Sequence, residues 1–158
     1  MGIVLARVDQ RLVHGIVVTQ VFSTVKAQRI MVVDNEVSKD ESRKSAMRLS
    51  KPAGSGMSII DVESAISNFQ MQKYDNHNVL LVVQDISVLI ELIEAGISIP
   101  LVQVGILLDR DDREKITTHV ALSDVEKAQL KRIEELGVPV IVQRVPSDKP
   151  EPLSKFNF

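Results

Sequence analysis

"VLLVVQDISVLIELIEAGISIPLVQVG", Val79 to Gly105, places two short β-branched runs on either side of a stretch with helical spacing. The runs "VLLVVQ" (79 to 84) and "LVQVG" (101 to 105) have the length and composition of strands that are apolar on both faces. Asp85 stands where a side-chain cap opens a helix, and Gly96 follows "LIELIEA" where a left-handed residue closes one. Strand, helix and strand in that order form a crossover unit whose two strands lie parallel in one sheet.

The same unit recurs in both directions along the chain. "IVLARV" (3 to 8), "RIMVVD" (29 to 34), "MSII" (57 to 60) and "VPVIVQRV" (138 to 145) read as further strands. Between them, "SKDE" (Ser38 to Glu41) and "SDVE" (Ser123 to Glu126) fit the capping box, Asp61 opens another helix, and Gly137 ends "QLKRIEEL". Met47, Leu49, Leu89, Leu92 and Ile93 fall on the core-facing sides of these helices. "ITTHVALS" (116 to 123) reads as a short edge strand, and the proline-rich tail, residues 146 to 158, as an extended segment over the surface. The expected fold class is α/β: one domain over residues 1 to 158, with a mainly parallel sheet, helices on both faces and a short edge strand.

Composition narrows the function. A net charge of −2, 3% aromatic residues and no Trp supply neither the basic field nor the stacking platforms of a nucleic-acid binder. With no Cys, and with His14, His77 and His119 scattered, neither thiolate catalysis nor a metal site is expected. The opening "MGIVLARVD" is interrupted by Arg7 and Asp9 too early for a signal sequence or a span, so a soluble, cytoplasmic chain is expected. "KPAGSGMS" (51 to 58) leads from a helix into a strand, the reverse of a phosphate loop. "DRDDREK" (109 to 115) interleaves both signs of charge and reads as a solvated loop, while His77 and His119 read as a turn residue and as an exposed or packed side chain.

Ligands of open α/β sheets collect beyond the carboxyl ends of the strands. That rule nominates Asp9 to Gly15, Asp34 to Ser38, Gln84 to Ser87 and Gly105 to Arg113. In the first of these, "RVDQRLVHGIVV" (7 to 18) sets His14 near the start of a helix whose apolar positions are Val17, Val18, Val21, Phe22 and Val25. A neutral imidazole is a nucleophile, a helix start favours an anion, and Arg7 and Arg11 are within loop reach to hold phosphoryl oxygens. Asp9 would orient Arg11 or the imidazole. These are the parts of in-line phosphoryl transfer. The same residues also fit a helix-terminal histidine beside an ordinary ion pair, and the local pattern leaves both readings open.

"ARVDQRLVHGIVV", followed by "AQRIMVVDNEVSKDESRKSAMRLSKPAG" (27 to 54) and by "LVQVG", "HVALS", "LKRIEELGV" and "VQRVPSD", resembles the IIB component of the mannose/fructose/sorbose family of the bacterial phosphoenolpyruvate-dependent sugar phosphotransferase system. The resemblance implies that His14 is phosphorylated by a IIA domain and passes the group to a sugar bound by the membrane subunits IIC and IID. It implies that Asp9 and Arg11 shape the loop and contact the phosphoryl group, with Gly15, Gln84 and Gly105 supporting it. No organic cofactor is implied. Homo-oligomers are common among such domains, and attachment to the inner face of the membrane through IIC and IID is expected. The chain departs from the family pattern at Ile16, Val21, the Gln84, Asp85 and Ile86 segment, and "GIL" (Gly105 to Leu107). Ile16 and Ile86 would supply an apolar docking rim. A diverged module that docks phosphotransferase partners without efficient transfer is the alternative these departures allow.

Overall fold

The computed structural model describes residues 2–158. Its strands are β1 (Gly2–Asp9), β2 (Arg29–Val33), β3 (Gly56–Ile60), β4 (Asn78–Val83), β5 (Val102–Ile106), β6 (Glu114–Lys115), β7 (Ala121–Leu122), β8 (Val140–Val142) and β9 (Glu151–Pro152). Seven of them form one sheet in the order β3-β2-β4-β1-β5-β8-β9, parallel throughout except for β9. The central strands are buried on both faces, as their largely apolar runs require, with Arg7, Asp9 and Gln103 as buried polar exceptions.

A π-helical turn (Val17–Val21) runs into α1 (Phe22–Thr24), and the other helices are α2 (Glu41–Leu49), α3 (Val62–Gln70), α4 (Ile86–Glu94) and α5 (Asp124–Glu135). Two apolar clusters flank the sheet. Leu12, Val17, Val21 and Met47 pack with Leu5, Leu80 and Val82 on one face, whereas Val62, Leu89, Leu92, Leu130 and Ile133 pack with Ala6, Val8 and Leu81 on the other. The chain leaving β1 therefore turns to one face, and the chain leaving its neighbour β4 turns to the opposite one. This divergence opens a crevice at the carboxyl ends of those strands, the position where such sheets bind ligands.

Several caps match their sequence signals. Asp61 accepts from Ser64 N–H at 2.7 Å, Asp85 from Ser87 N–H at 2.9 Å, and Ser123 with Glu126 closes a reciprocal capping box. Gly96 and Gly137 follow their helices at φ +88° and +95°.

Other expectations are corrected. Ser38 does not cap α2: Asp34 Oδ1 accepts the N–H groups of Glu36 and Val37, which winds Val37–Lys39 into a 3-10 turn, and the cap falls to Asp40. Of "ITTHVALS", only Ala121 and Leu122 form a strand, paired with β6 outside the main sheet. The true edge is β9, because the tail folds back on β8 and buries Leu153 instead of lying loosely extended. "VPVIVQRV" is strand only over Val140–Val142. Leu49, at the last turn of α2, is 89% exposed and outside the core, while Ile86 opens α4 pointing inward at 1% exposure and cannot form a docking rim.

Candidate functional site

The first loop is built around one carboxylate. At the end of β1 the register with β5 shifts between Val8 and Asp9, and the chain turns back so that Leu12 N–H reaches Asp9 C=O at 3.0 Å. Asp9 Oδ1 accepts Arg11 N–H at 2.9 Å, closing a side-chain turn over the same residues. The turn requires Leu12 to adopt φ +56°, a left-handed conformation that L residues avoid, and burial of the Leu12 side chain to 1% exposure holds it there. Helical backbone begins at Gly15 and passes through the π turn, with Val18 N–H bonded to His14 C=O at 3.0 Å. His14 thus stands at the junction of strained loop and helix.

Asp9 Oδ2 receives two donors, Arg7 Nε at 3.0 Å and His14 Nε2 at 2.8 Å. The Arg7 and Asp9 side chains have no exposed surface, and that of His14 retains 9%. A carboxylate taking N–H bonds at both oxygens acts as an acceptor, so Nε2 of His14 carries the proton and Nδ1 the lone pair. Nδ1 makes no hydrogen bond among the described residues and keeps contact with solvent.

Arg7 lies in its strand as expected, but its side chain does not reach over the loop. It projects from within β1, and its guanidinium lies across β5, where Nη1 donates to Gln103 Oε1 at 2.7 Å. Burial pulls its pKa below the usual arginine value, and the adjacent Asp9 partly offsets this. The guanidinium fits because residue 105 is glycine: a Cβ there would overlap Arg7 Cζ and Nη2 and lie 2.7 Å from Nη1. From Gln103 the contacts continue outward, Nε2 to Gln143 Oε1 at 2.8 Å and Gln143 Nε2 to Asp148 C=O at 2.8 Å.

The residues nominated from sequence are thereby sorted. Asp9 bonds the His14 ring, but of Arg11 it takes only the backbone N–H; its buried carboxylate lies at the Nε2 side of the ring. Arg7 is sealed inside the sheet and cannot hold phosphoryl oxygens. Arg11 is exposed, with no side-chain partner among the described residues, and Gly15 is exposed beside it. Gly105 does not belong to a phosphoryl loop; it is the strand position that admits Arg7. Gln84 donates to Asp34 Oδ2 at 2.8 Å, tying the loop after β4 to the loop after β2. Gln103 and Gln143 were missed, although a glutamine within an apolar strand, or directly after one, calls for a polar partner.

A cleft of about 1050 Å³ extends from Gln10 along Asp34, Gln84, Asp85, Arg113 and Glu126. Its wall is braced by Arg113, which forks onto Glu126 at 2.9 and 2.8 Å and also donates to Gln10 Oε1 and Leu108 C=O. Desolvation works against ionisation of Glu126, but Arg113 and the Ser123 cap outweigh it and set its pKa below the ordinary carboxylate value. Arg110 pairs with Asp112 at the exposed part of the same loop. Among the described residues no His, Asp and Glu cluster is arranged to hold a metal ion, and no helix is long and apolar enough to cross a membrane.

Comparison with known proteins gives the frame for this geometry. The family model for the PTS system sorbose subfamily IIB component matches residues 3–157. The chain is 32% identical to the sorbose-specific EIIB component of Lacticaseibacillus casei, over 94% of this chain and 90% of that one. It is 30% identical to the mannose-specific EIIAB component of Escherichia coli, over 94% of this chain and 46% of that longer protein. Among solved structures, the IIBSor domain of the sorbose permease from Klebsiella pneumoniae superposes with a TM-score of 0.94 at 27% identity, covering 99% of this chain and 97% of that one. This chain belongs to the sorbose-subfamily IIB components of the sugar phosphotransferase system.

Proposed function

We propose that this chain is a phosphocarrier in which Nδ1 of His14 takes a phosphoryl group from the phosphohistidine of a IIA partner and gives it to a sugar presented by the membrane components IIC and IID. The observation that carries the reading is the 2.8 Å bond from His14 Nε2 to Asp9, which leaves Nδ1 as the one ring nitrogen with a free lone pair. In the first step the Nδ1–P bond forms as the donor's N–P bond breaks, and the donor imidazole leaves with the electron pair. The ring of His14 then gains positive character, which the Asp9 carboxylate behind Nε2 stabilises. In the second step a sugar hydroxyl attacks phosphorus, the Nδ1–P bond breaks, and the hydroxyl proton passes to a base on the sugar-binding side.

Arg11 and the first-turn N–H groups after His14 supply donors for the phosphoryl oxygens, since a guanidinium without a carboxylate partner offers all five of its N–H bonds. The family membership supports the IIA and sugar partners, as does the mannose-specific relative, whose name joins an A component to a B component. The protein works at the cytoplasmic face of the membrane, held there through its membrane partners. Incubation with phosphoenolpyruvate, the general phosphotransferase proteins and a IIA domain should add one acid-labile phosphoryl group by intact mass. Absence of the adduct, or its persistence in His14→Ala, refutes the reading.

A further inference from the structure

Asp9 Oδ2 serves two donors at once, and what keeps both there is found on the far side of Arg7. A guanidinium beside a carboxylate favours a two-pronged fork, in which two of its N–H groups take both oxygens. Here Arg7 meets Asp9 through Nε alone; Nη2, on the same edge, is buried without a partner, while Nη1 on the opposite side is tethered to Gln103 Oε1 at 2.7 Å, which fixes the guanidinium short of the full fork. If Nη1 were released, the guanidinium would be left with one bond for its five N–H groups in a fully buried site, and turning fully onto Asp9 would be its available compensation. That turn would compete with His14 Nε2 for Oδ2.

The direction of the chain beyond Arg7 is forced. Arginine only donates, so Gln103 presents its oxygen to Arg7 and its NH2 to Gln143; Gln143 must answer with its oxygen, leaving its own NH2 for Asp148 C=O. Every bond from the guanidinium to the C-terminal loop therefore runs one way, and Gly105 clears the space in which Arg7 makes the first of them. Reversal of one amide would set like against like at its neighbours.

We propose that Gln103 and Gln143 are positioning residues that hold Arg7 to Asp9 through Nε alone, reserving Asp9 for His14 and keeping the His14 lone pair on Nδ1. This rests on the phosphocarrier reading of His14 for its consequence, but the tautomer it specifies belongs to the unphosphorylated protein and is measured there. The test uses the full chain carrying Gln103→Leu, Gln143→Leu or Gln103→Glu, with amide spectra and thermal melting to establish that each is folded. Gln143 is only partly buried, so its leucine variant is the safer of the two.

Long-range proton–nitrogen correlation of the His14 ring should show the Nε2–H form dominant in the native protein and mixed with the Nδ1–H form in both leucine variants. Gln103→Glu keeps an acceptor for Nη1, anchored there by its charge on Arg7 in place of the bond to Gln143, and should hold the native pattern. Phosphoryl transfer from IIA should slow about 10-fold in Gln143→Leu, the usual scale for losing an outer partner of a reactive group, with little change in the IIA concentration needed for half-maximal rate. Native ring signals in both folded leucine variants would overturn the proposal, as would a Gln103→Glu spectrum as disturbed as that of Gln103→Leu. A native protein that never carries phosphate on His14 defeats the phosphocarrier reading instead, and the ring signals still decide this one.

Discussion

Asp9→Asn tests the site where its chemistry is most concentrated, because one atom is exchanged in a carboxylate that receives three N–H donors, two at Oδ2 and one at Oδ1. An amide has one oxygen. With nitrogen at the Oδ2 position, its N–H groups oppose Arg7 Nε–H and force His14 to accept through Nε2, moving the ring proton to Nδ1 and abolishing the nucleophile. With nitrogen at the Oδ1 position, they oppose Arg11 N–H and disrupt the turn that holds Leu12 at φ +56°. In either orientation Arg7, with no exposed surface, becomes a buried charge without its counter-ion. Removing one partner of such a pair costs about 3–5 kcal/mol, a large part of the roughly 5–15 kcal/mol that holds a domain together. Equilibrium urea unfolding followed by circular dichroism reads the loss directly. Arg7→Met combined with Asp9→Asn should recover part of it, since the stranded charge is gone and an apolar chain fills the space. A single variant that loses less than about 1 kcal/mol would refute the assignment of Asp9 as the counter-ion of a sealed guanidinium.

Three further outcomes are expected. Gly105→Ala places a methyl group inside the Arg7 guanidinium and should destabilise the chain by about 1–3 kcal/mol by thermal or urea unfolding, whereas Gly15→Ala, with open space around it, should not. Arg11→Ala removes an exposed side chain, so unfolding should move by no more than about 0.5 kcal/mol, while quenched-flow measurement of transfer from IIA should slow about 100-fold if its guanidinium meets the phosphoryl oxygens. Glu126 has a folded pKa below its unfolded value, so the stability it contributes is complete above the unfolded pKa, near 4.5, and is lost as pH falls through the folded pKa. The difference in urea midpoint between the native chain and Glu126→Gln should therefore be constant from neutral pH to about pH 5 and shrink below it.

The alternation of two-faced apolar strands with capped helices made the sheet legible, because burial on both faces leaves no polar alternation to misread. Asp61, Asp85 and Ser123 act locally, and their signals lie within three residues of their targets. What eluded the sequence depends on distant partners. Asp40 displaced Ser38 as a cap because Asp34 first winds the intervening turn, and the tail found an edge on β8 that no local pattern announces.

At the site, His14 and Asp9 were visible as neighbours in one loop. Arg7, in the strand "IVLARV" two residues before Asp9, is expected within reach of the loop, yet the β1–β5 register sets its side chain beside Gln103 and Gly105, 96 residues away from Gln103 in sequence. The two glutamines in "LVQVG" and "VIVQ" carried the missing signal. Polar side chains in strands of that composition are affordable only as a bonded set, and pairing them would have pointed to Arg7 as the third member.

The central claim concerns a single atom, and one measurement addresses it. The chain, labelled with nitrogen-15 in its histidine rings, is phosphorylated by phosphoenolpyruvate through the general proteins and IIA, and its long-range proton–nitrogen correlations are recorded at alkaline pH, where phosphohistidine survives. Phosphorus on Nδ1 of His14, with the proton retained on Nε2 against Asp9, is the expected result. Phosphorus on Nε2, or on His77 or His119 with His14 unmodified, would contradict it.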